Sequence, residues 1–248
     1  MIISPAENIQ AIIFDMGNTL RTREPNPATQ AAARNRLAEL LGVRELTDAY
    51  CAELERRHEA YSLWAQERLI ECSGAEIWTQ WVAPELPHAR IAPLAEELTS
   101  AWRERQGHAT PRPDASATLS ELARRSYRLG LISNTISAVD VPRSVDAYDW
   151  KKFFEVVILS STARCRKPAP EIFWQATRAM RVEPAHCAYI GDRISRDVVG
   201  AHRAGFGMAI LIEPLGMARA DERDQTDKPD ALVRALSELL EIFPARVK

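Results

Sequence analysis

Four short stretches of the sequence carry side chains suited to binding phosphate or a metal ion. They are Asp15 with Gly17 and Thr19, Ser133 with Asn134, Lys167, and Asp192 with Asp197. The three aspartates supply carboxylate oxygens, the ligands that Mg²⁺ prefers in proteins. A serine and an asparagine supply small polar groups for an oxyanion, and a lysine supplies a point charge for phosphate. If folding brings these stretches together, they form a site for Mg²⁺ and a phosphorylated molecule.

Each of these residues also has an explanation that requires no shared site. Asp15 could cap a turn, and Ser133 with Asn134 could form a turn or a helix cap. Lys167 could be a solvated surface lysine, and Asp197 could lie at a helix N-terminus, where negative charge is favourable. All of these explanations would have to hold at once, at the ends of successive predicted strands. A shared site explains the pattern with fewer coincidences.

The elements that position these stretches alternate between strands and helices. Five apolar runs have the length of strands and lack polar alternation, as in a parallel sheet covered on both faces. They are Ala11–Phe14, 128–132, Phe154–Leu159, 188–190 and Met208–Ile212. Helical spacing of apolar residues follows at 114–126, Pro170–Met180, 196–204 and 230–243. This order predicts an α/β fold with a Rossmann-like parallel sheet whose strand–helix–strand connections are right-handed.

One long block interrupts the alternation, because residues 21–113 show helical patterns and no convincing strand. Asn26 before Pro27 marks a helix start, and Ser73 with Glu76 has the spacing of a capping box. The polar segment 218–228 is predicted to be a surface loop. We therefore predict two domains, an α/β core formed by residues 1–20 and 114–248 and an α-helical domain inserted at residues 21–113.

Composition excludes several classes of partner. The 248 residues carry a formal net charge of −2 with no dense basic stripe, so neither nucleic acid nor a membrane surface is expected as a partner. The four cysteines are dispersed without metal-ligand spacing, which is typical of reduced thiols in a cytoplasmic protein. The N-terminus does not resemble a signal peptide, and no run approaches the ~20 apolar residues of a membrane span. We expect a soluble, cytoplasmic protein.

The four stretches, in this order and spacing, resemble the signature motifs of the haloacid dehalogenase-like hydrolase superfamily. The resemblance covers residues 10–20 and 113–243, and the helical block at 21–113 resembles the cap that members insert after the first motif. It implies hydrolysis of a phosphorylated small molecule, in which an aspartate attacks phosphorus and the aspartyl-phosphate is then cleaved by water. It also implies Mg²⁺ as the cofactor.

The resemblance implies a role for each matching residue. Asp15 would be the nucleophile, Thr19 would support the turn after it, and Lys167 would neutralise negative charge. Ser133 would bind the phosphoryl group with help from Asn134. The Mg²⁺ ligands would be Asp15, the carbonyl group of Gly17, and Asp192, with Asp197 as a further ligand or as a partner of one.

Gly17 departs from the pattern of most phosphatases in the superfamily, which carry a second aspartate at this position. That aspartate protonates the leaving group, and such acid–base catalysis typically accelerates a reaction ~10²–10⁴-fold. Glycine cannot transfer a proton, so either the leaving group needs little protonation or another residue supplies the proton. The candidates in the helical block are His58, Glu67 and Glu71.

Gly17 and the residues of the helical block also distinguish between the reaction types known in the superfamily. Phosphosugar mutases of this fold depend on the missing acid, and phosphonate-cleaving members need a lysine in the cap, where residues 21–113 contain none. Dehalogenase members usually have an aromatic residue at the position of Gly17 and do not need Mg²⁺. The prediction is therefore a Mg²⁺-dependent phosphatase. A phospho-ligand-binding protein with little or no turnover, and a dehalogenase-type hydrolase, remain as alternatives.

Other conspicuous residues have simpler interpretations. Four tryptophans in the helical block invite stacking on a ring, but their helical spacing favours a core (Trp64, Trp78, Trp81 and Trp102). The oligomeric state stays open between a monomer and a homodimer, because a helical block with so many tryptophans could hide a dimer interface. Arg164 and Arg166 could contact a substrate anion or lie in a solvated loop. Cys165 between them is a weak candidate nucleophile, because no histidine is near it in the sequence.

Overall fold

A six-stranded parallel sheet carries the predicted site at one of its edges. The structure is a computed structural model that describes residues 5–213 and 227–245. The strands are β1 (Ala11–Phe14), β2 (Arg21–Glu24), β3 (His108–Pro111), β4 (Arg128–Ser133), β5 (Phe154–Leu159), β6 (Cys187–Gly191), β7 (Met208–Ile212) and β8 (Ala231–Val233). The large sheet has the order β5-β4-β1-β6-β7-β8, and all its neighbouring strands are parallel. The predicted α/β fold with a parallel sheet is confirmed.

The central strand shows why polar alternation is missing from the sequence. All four residues of β1 are buried. Ile12 and Phe14 pack into a hydrophobic cluster on one face of the sheet, and Ala11 and Ile13 pack into a second cluster on the other face. Because both faces are covered, the strand is apolar throughout.

Helices surround this sheet and form a lobe between β2 and β3. They are α1 (Pro27–Leu41), α2 (Asp48–Arg68), α3 (Gly74–Glu76), α4 (His88–Ile91), α5 (Ala95–Glu104), α6 (Ala115–Arg124), α7 (Asp140–Ala147), α8 (Ser160–Ala163), α9 (Pro170–Met180), α10 (Val199–Arg203) and α11 (Leu239–Ile242). The predicted helix start at Asn26 and the capping box of Ser73 and Glu76 are both present. The predicted surface loop at 218–228 lies, up to residue 226, outside the described residues.

Helices α1 to α5, which we call the helical lobe, have a hydrophobic cluster of their own. Trp78 and Trp102 are buried in it, and Trp64 and Trp81 pack against it. The indole nitrogen of Trp78 donates a hydrogen bond to Thr99 Oγ1 at 2.8 Å, which satisfies its one polar group. The interpretation of these tryptophans as core residues is confirmed.

Two segments differ from the sequence prediction. The expectation that residues 21–113 contain no strand is wrong at both ends, because β2 and β3 pair antiparallel with Arg21 opposite Pro111 and Glu24 opposite His108. Both strands are short, β2 is mostly charged and β3 is partly exposed, so they lack the apolar pattern of a buried strand. The predicted helix at 230–243 is also wrong in its first half. There β8 pairs with β7, and this tertiary pairing overrides the helical spacing of the leucines.

A shared carboxylate joins the β2–β3 ladder and the helical lobe to the core. Asp140, at the start of α7, forms ion pairs with Arg21, with Arg23 at 3.8 Å and with Arg103 of α5 at 3.4 Å. Burial disfavours ionisation of Asp140, but the three guanidinium groups outweigh it and lower the pKa of this carboxyl group. One carboxylate thus pairs with three guanidinium groups where the lobe meets the core.

Candidate active site

Asp15 follows β1 directly and is almost completely buried. Its backbone N–H donates to the carbonyl oxygen of Ile190 in β6 at 2.8 Å, which continues the sheet hydrogen bonding by one residue. Thr19 Oγ1 lies 3.4 Å from Asp15 Oδ2 and donates to it. The carboxylate is therefore held at the carboxyl edge of the sheet, where open α/β sheets bind their ligands.

Lys167 has the most constrained side chain of the site. Its Nζ donates to Asp15 Oδ1 at 2.6 Å, to Asp197 Oδ1 at 2.6 Å and to the hydroxyl oxygen of Tyr189 at 2.7 Å. These three acceptors match the three N–H donors of an ammonium group. The Lys167 side chain is 0% exposed, so its interpretation as a solvated surface lysine is wrong.

Asn134 holds the backbone of Lys167 in place. Its Nδ2 donates to the Lys167 carbonyl oxygen at 3.0 Å, and its Oδ1 accepts from the Lys167 N–H at 2.9 Å. Both ends of the amide are thus engaged by the protein. Ser133, the last residue of β4, is buried beside it at the same edge of the sheet.

Three carboxylates meet at this edge. One oxygen each from Asp15, Asp192 and Asp197 lies within 4.8 Å of the others, and all three residues are buried. An all-oxygen set of this kind suits a hard divalent cation such as Mg²⁺. The donor set therefore fits the cofactor that the resemblance implies.

Arg196 is one residue of the site that sequence reasoning missed. Its Nη2 donates to Asp192 Oδ1 at 2.9 Å and lies 3.7 Å from Asp15 Oδ2, and its Nε donates to Asp197 Oδ2 at 3.4 Å. The guanidinium group thus contacts all three carboxylates. Lys167 and Arg196 contribute two positive charges, and the three carboxylates contribute three negative charges. The one uncompensated negative charge favours the binding of a cation.

Burial and charge act on these groups in opposite directions. Burial, the largest influence, raises the pKa of Asp15, although Lys167 opposes it. Burial also disfavours ionisation of Asp197, but Lys167 and Arg196 outweigh it and lower the pKa of that carboxyl group. The three carboxylates more than offset the cost of burying Arg196 and raise its pKa. Asp197 is thus the firmly ionised partner of Lys167.

A π-helical turn at Ile194–Val198 brings Arg196 and Asp197 into the site together. Gly191 makes this possible, because a Cβ atom there would lie 2.4 Å from the Cβ and Cγ atoms of Asp197. Contacts this short are forbidden, so any larger residue would push Asp197 away from Lys167. The Gly-Asp pair at the end of β6 is therefore a packing requirement as well as a source of one carboxylate.

The turn after Asp15 is fixed by residues at some distance in the sequence. Asn18 adopts a left-handed backbone conformation, with φ of 59°, and its Nδ2 donates to Asp192 Oδ2 at 3.2 Å. The buried guanidinium of Arg112, directly after β3, donates to the carbonyl oxygen of Asn18 at 3.2 Å. Gly17 has open space where a side chain would be, since a Cβ atom built there meets nothing within 4 Å.

The proposed substitutes for the missing acid have different surroundings. Glu67 is exposed on α2, whereas Glu71 is buried and accepts from the Tyr61 hydroxyl group and from Ser160 Oγ. The Nε2 atom of His58 is buried and has no hydrogen-bond partner among the described residues. Of the three, only His58 therefore has a buried acid–base atom without a partner.

Cys165 and the two arginines beside it have different surroundings in the structure. Burial raises the pKa of the Cys165 thiol, which works against the thiolate that a nucleophile requires. Arg164 pairs with Glu76 of the helical lobe, and Arg166 faces Glu71 at 3.6 Å. Arg164 is thus engaged by the lobe, while Arg166 lines a cavity between the lobe and the core.

Comparison with known proteins identifies the family. The sequence matches the haloacid dehalogenase-like hydrolase family over residues 9–205. The chain belongs to this family of hydrolases. The resemblance recognised in the four motifs is therefore confirmed.

Several named proteins are similar to this chain over most of its length. Glyceraldehyde 3-phosphate phosphatase from Methanopyrus kandleri is 27% identical over 94% of this chain and 97% of its own. Human N-acylneuraminate-9-phosphatase is 25% identical over 84% of each chain. The crystal structure of 2-haloacid dehalogenase from Pseudomonas syringae is 25% identical, covers 94% of this chain and 97% of its own, and superimposes with a TM-score of 0.68.

No helix in the described parts of this hydrolase, residues 5–213 and 227–245, is long and apolar enough to cross a membrane.

Proposed function

We propose that this hydrolase is a Mg²⁺-dependent phosphatase that removes the phosphoryl group from a small molecule through an aspartyl-phosphate at Asp15. The observation that carries the proposal is the contact of Lys167 Nζ with Asp15 Oδ1 at 2.6 Å inside a cluster of three carboxylates. Several relatives of this chain are phosphatases of phosphorylated small molecules, as their names state. Both lines of support point to the same reaction.

In the proposed reaction, a carboxylate oxygen of Asp15 attacks phosphorus, and the ester P–O bond to the leaving group breaks. Lys167 reduces the repulsion between the nucleophile and the anionic phosphoryl group, and its own position is held by Asn134 and Asp197. Ser133 binds the phosphoryl oxygens at the end of β4. Water then cleaves the aspartyl-phosphate, which releases inorganic phosphate and restores the carboxylate.

Mg²⁺ would be held by Asp15, Asp192 and the carbonyl group of Gly17, and it would supply positive charge against the phosphoryl oxygens. Asp197 is assigned instead to Lys167, because its Oδ1 accepts from Nζ and its Oδ2 accepts from the Arg193 N–H at 3.1 Å. This assignment gives Asp197 the role of a positioning residue.

The two alternatives make different predictions about the same residues. A phospho-ligand-binding protein has little need for a nucleophile, yet Asp15 is held by both Lys167 and Thr19. A dehalogenase-type hydrolase is supported by the structural similarity to 2-haloacid dehalogenase. The phosphatase is favoured over it because the buried acidic cluster suits a metal ion that dehalogenation does not need.

The experiment that tests the proposal is hydrolysis of p-nitrophenyl phosphate with Mg²⁺ and with EDTA. Its leaving group needs little protonation, so the substrate bypasses the acid that Gly17 lacks. We expect turnover that requires Mg²⁺ and disappears in Asp15→Asn, but persists in the control Asp149→Asn, whose side chain is 80% exposed. Equal turnover by the wild-type protein and Asp15→Asn would contradict the proposal. Release of chloride from a 2-chloro acid would favour the dehalogenase.

A further inference from the structure

A small cavity opens between the helical lobe and the core, beside the segment that follows β4. Its volume is about 190 Å³, smaller than the ~300–1,000 Å³ of sites that hold drug-sized ligands. The lobe contributes His58, Trp102 and Arg103 to its walls, and the core contributes residues 134–136 and Arg166. The cavity adjoins the reaction centre, because Asn134 in its wall also holds Lys167. Its volume leaves room for only a few carbon atoms.

Arg103 brings unused hydrogen-bond donors to this cavity. Of its five N–H groups, one donates a hydrogen bond to a side chain in the described parts of the chain, from Nη1 to Thr135 Oγ1 at 3.1 Å. Its buried Nε has no hydrogen-bond partner among the described residues, although it forms an ion pair with Asp140 Oδ2 at 3.4 Å, a carboxylate that also pairs with Arg21 and Arg23. Burial lowers the pKa of Arg103 to about 10, although the Asp140 carboxylate opposes it.

Arg166 is a second cation with donors to spare. Within the described residues its side chain has one ion pair, with Glu71 Oε2 at 3.6 Å, and this separation is too long for a hydrogen bond. The same oxygen of Glu71 already accepts from Ser160 Oγ at 2.8 Å. The guanidinium of Arg166, whose side chain is 18% exposed, therefore faces the cavity without a hydrogen-bonding acceptor.

His58 of the helical lobe is the third polar side chain that lines the cavity and has an unused hydrogen-bonding atom. Its ring packs 5.6 Å from that of Trp102, and its buried Nε2 has no hydrogen-bond partner in the described parts of the chain. Burial and the two guanidinium groups of Arg103 and Arg166 lower the pKa of His58. Buried polar groups are normally paired, so the unpartnered Nε2 of His58, beside two guanidinium groups with spare N–H donors, indicates a polar ligand with acceptor oxygens.

We propose that this cavity binds the carboxylate of a phosphorylated hydroxy acid, through Arg103 and Arg166 with His58 as a further donor. The charged residues in the walls of the cavity are two arginines and Glu71, so their net charge is one positive charge. This charge matches a monoanion such as a carboxylate and falls short of a second phosphate. A planar carboxylate also fits the fork of donors on a guanidinium group. This inference rests on the proposed phosphatase function and assigns its substrate class.

The test measures binding, so that it does not depend on turnover. Three kinds of probe are titrated calorimetrically into Asp15→Asn: phosphate monoesters of short ω-hydroxy acids, those of the corresponding primary amides, and the diol bisphosphates. Arg103→Gln and Arg166→Gln are each combined with Asp15→Asn. Arg56→Gln, an exposed residue of the same helix as His58, is the matched control. Circular dichroism establishes that each variant is folded, and Arg166→Gln suffices if Arg103→Gln does not fold.

We expect the acid to bind at least about tenfold more tightly than its amide, as charge-assisted hydrogen bonds imply. Arg103→Gln and Arg166→Gln should each bring the acid and the amide close to equal affinity, whereas Arg56→Gln should leave the ratio unchanged. Equal binding of acid and amide in the Asp15→Asn background overturns the inference, and so does a preference that survives both substitutions. Tighter binding of the bisphosphate overturns the assignment of a monoanion. None of these outcomes bears on hydrolysis of p-nitrophenyl phosphate, which tests the proposed function separately.

Discussion

Asn134 and Lys167 hold each other through two hydrogen bonds, one from Asn134 Nδ2 to the Lys167 carbonyl oxygen at 3.0 Å and one from the Lys167 N–H to Asn134 Oδ1 at 2.9 Å. The pair joins the segment after β4 to the segment before α9, so that the ammonium group reaches Asp15. Misplacing a catalytic group by ~1 Å can slow a reaction ~10²-fold. We therefore expect Asn134→Ala to lower kcat on p-nitrophenyl phosphate by about 10- to 100-fold with a smaller change in KM. An unchanged kcat would exclude this positioning role.

Removal of the Lys167 charge should affect stability as well as activity. Lys167→Met removes the ammonium group that Asp15 and Asp197 both contact at 2.6 Å and leaves them only the longer contacts with Arg196; breaking a buried ion pair in this way typically costs ~3–5 kcal/mol. Urea unfolding should show this loss, and Lys152→Met, at a lysine that is 57% exposed, should not. Adding Asp197→Asn to Lys167→Met should restore part of the stability but none of the turnover. If the double variant is no more stable than Lys167→Met, this electrostatic account fails.

Gly17 offers a gain-of-function experiment. A Cβ atom there meets nothing within 4 Å, so the backbone at this position accepts a side chain, and Gly17→Asp introduces the carboxyl group that most phosphatases of the superfamily carry here. Since acid–base catalysis typically contributes ~10²–10⁴-fold, we expect at least about tenfold faster hydrolysis of alkyl phosphates, whose leaving groups need protonation. Hydrolysis of p-nitrophenyl phosphate should change little. Gly17→Asn is the control of similar size, and equal rates for the two variants would contradict the prediction.

Arg196 should oppose metal binding, because its guanidinium already contacts the carboxylates that would hold Mg²⁺. Arg196→Gln removes this positive charge, and we expect the Kd for Mg²⁺ to fall by about tenfold or more. Titration calorimetry without substrate measures the affinity directly. Arg203→Gln, at an exposed residue of α10, serves as the control. Weaker Mg²⁺ binding by Arg196→Gln would show that the arginine supports the metal site instead.

His58 should make the protein sensitive to acid. Its pKa is lowered by burial and by the nearby Arg103 and Arg166, while an unfolded histidine titrates near ~6.5. As the pH falls below ~6.5, the unfolded chain takes up a proton that the folded protein resists, so the free energy of unfolding decreases. Above that range His58 is neutral in both states and has no such effect. His58→Gln should lose less of its Tm between about pH 7.5 and 5.5 than the wild-type protein, and an equal loss would argue against this account.

Much of the sheet is predictable from sequence because burial on both faces leaves an uninterrupted apolar run, as in Ala11–Phe14 and Met208–Ile212. The positions of Asp15 and Asp192 follow from the same logic, since each comes directly after such a run. The charged strand Arg21–Glu24 has no such signal, and its partner lies across the whole helical lobe. The helical leucine spacing around β8 misled for a related reason, because pairing with β7 decides its conformation.

The network around Lys167 was less predictable than the residues that first indicated the site. Arg196 lies one residue before Asp197, but only the π-helical turn shows that both side chains point to the same carboxylates. Tyr189, within β6, has the appearance of a core aromatic residue, and its hydroxyl contact with Lys167 depends on the register of β6 beside β1. The spacing of Arg196 four residues after Asp192 is the one signal that could have suggested an ion pair.

The β2–β3 ladder lets the chain leave the core and return to it at neighbouring points, because Glu24 at the end of β2 is paired with His108 at the start of β3. A shorter chain could join these two residues by a hairpin turn without altering any hydrogen bond of the large sheet. Everything between them can therefore be lengthened, shortened or exchanged by recombination while the residues that perform the chemistry stay in place. The choice of substrate can thus evolve independently of the reaction.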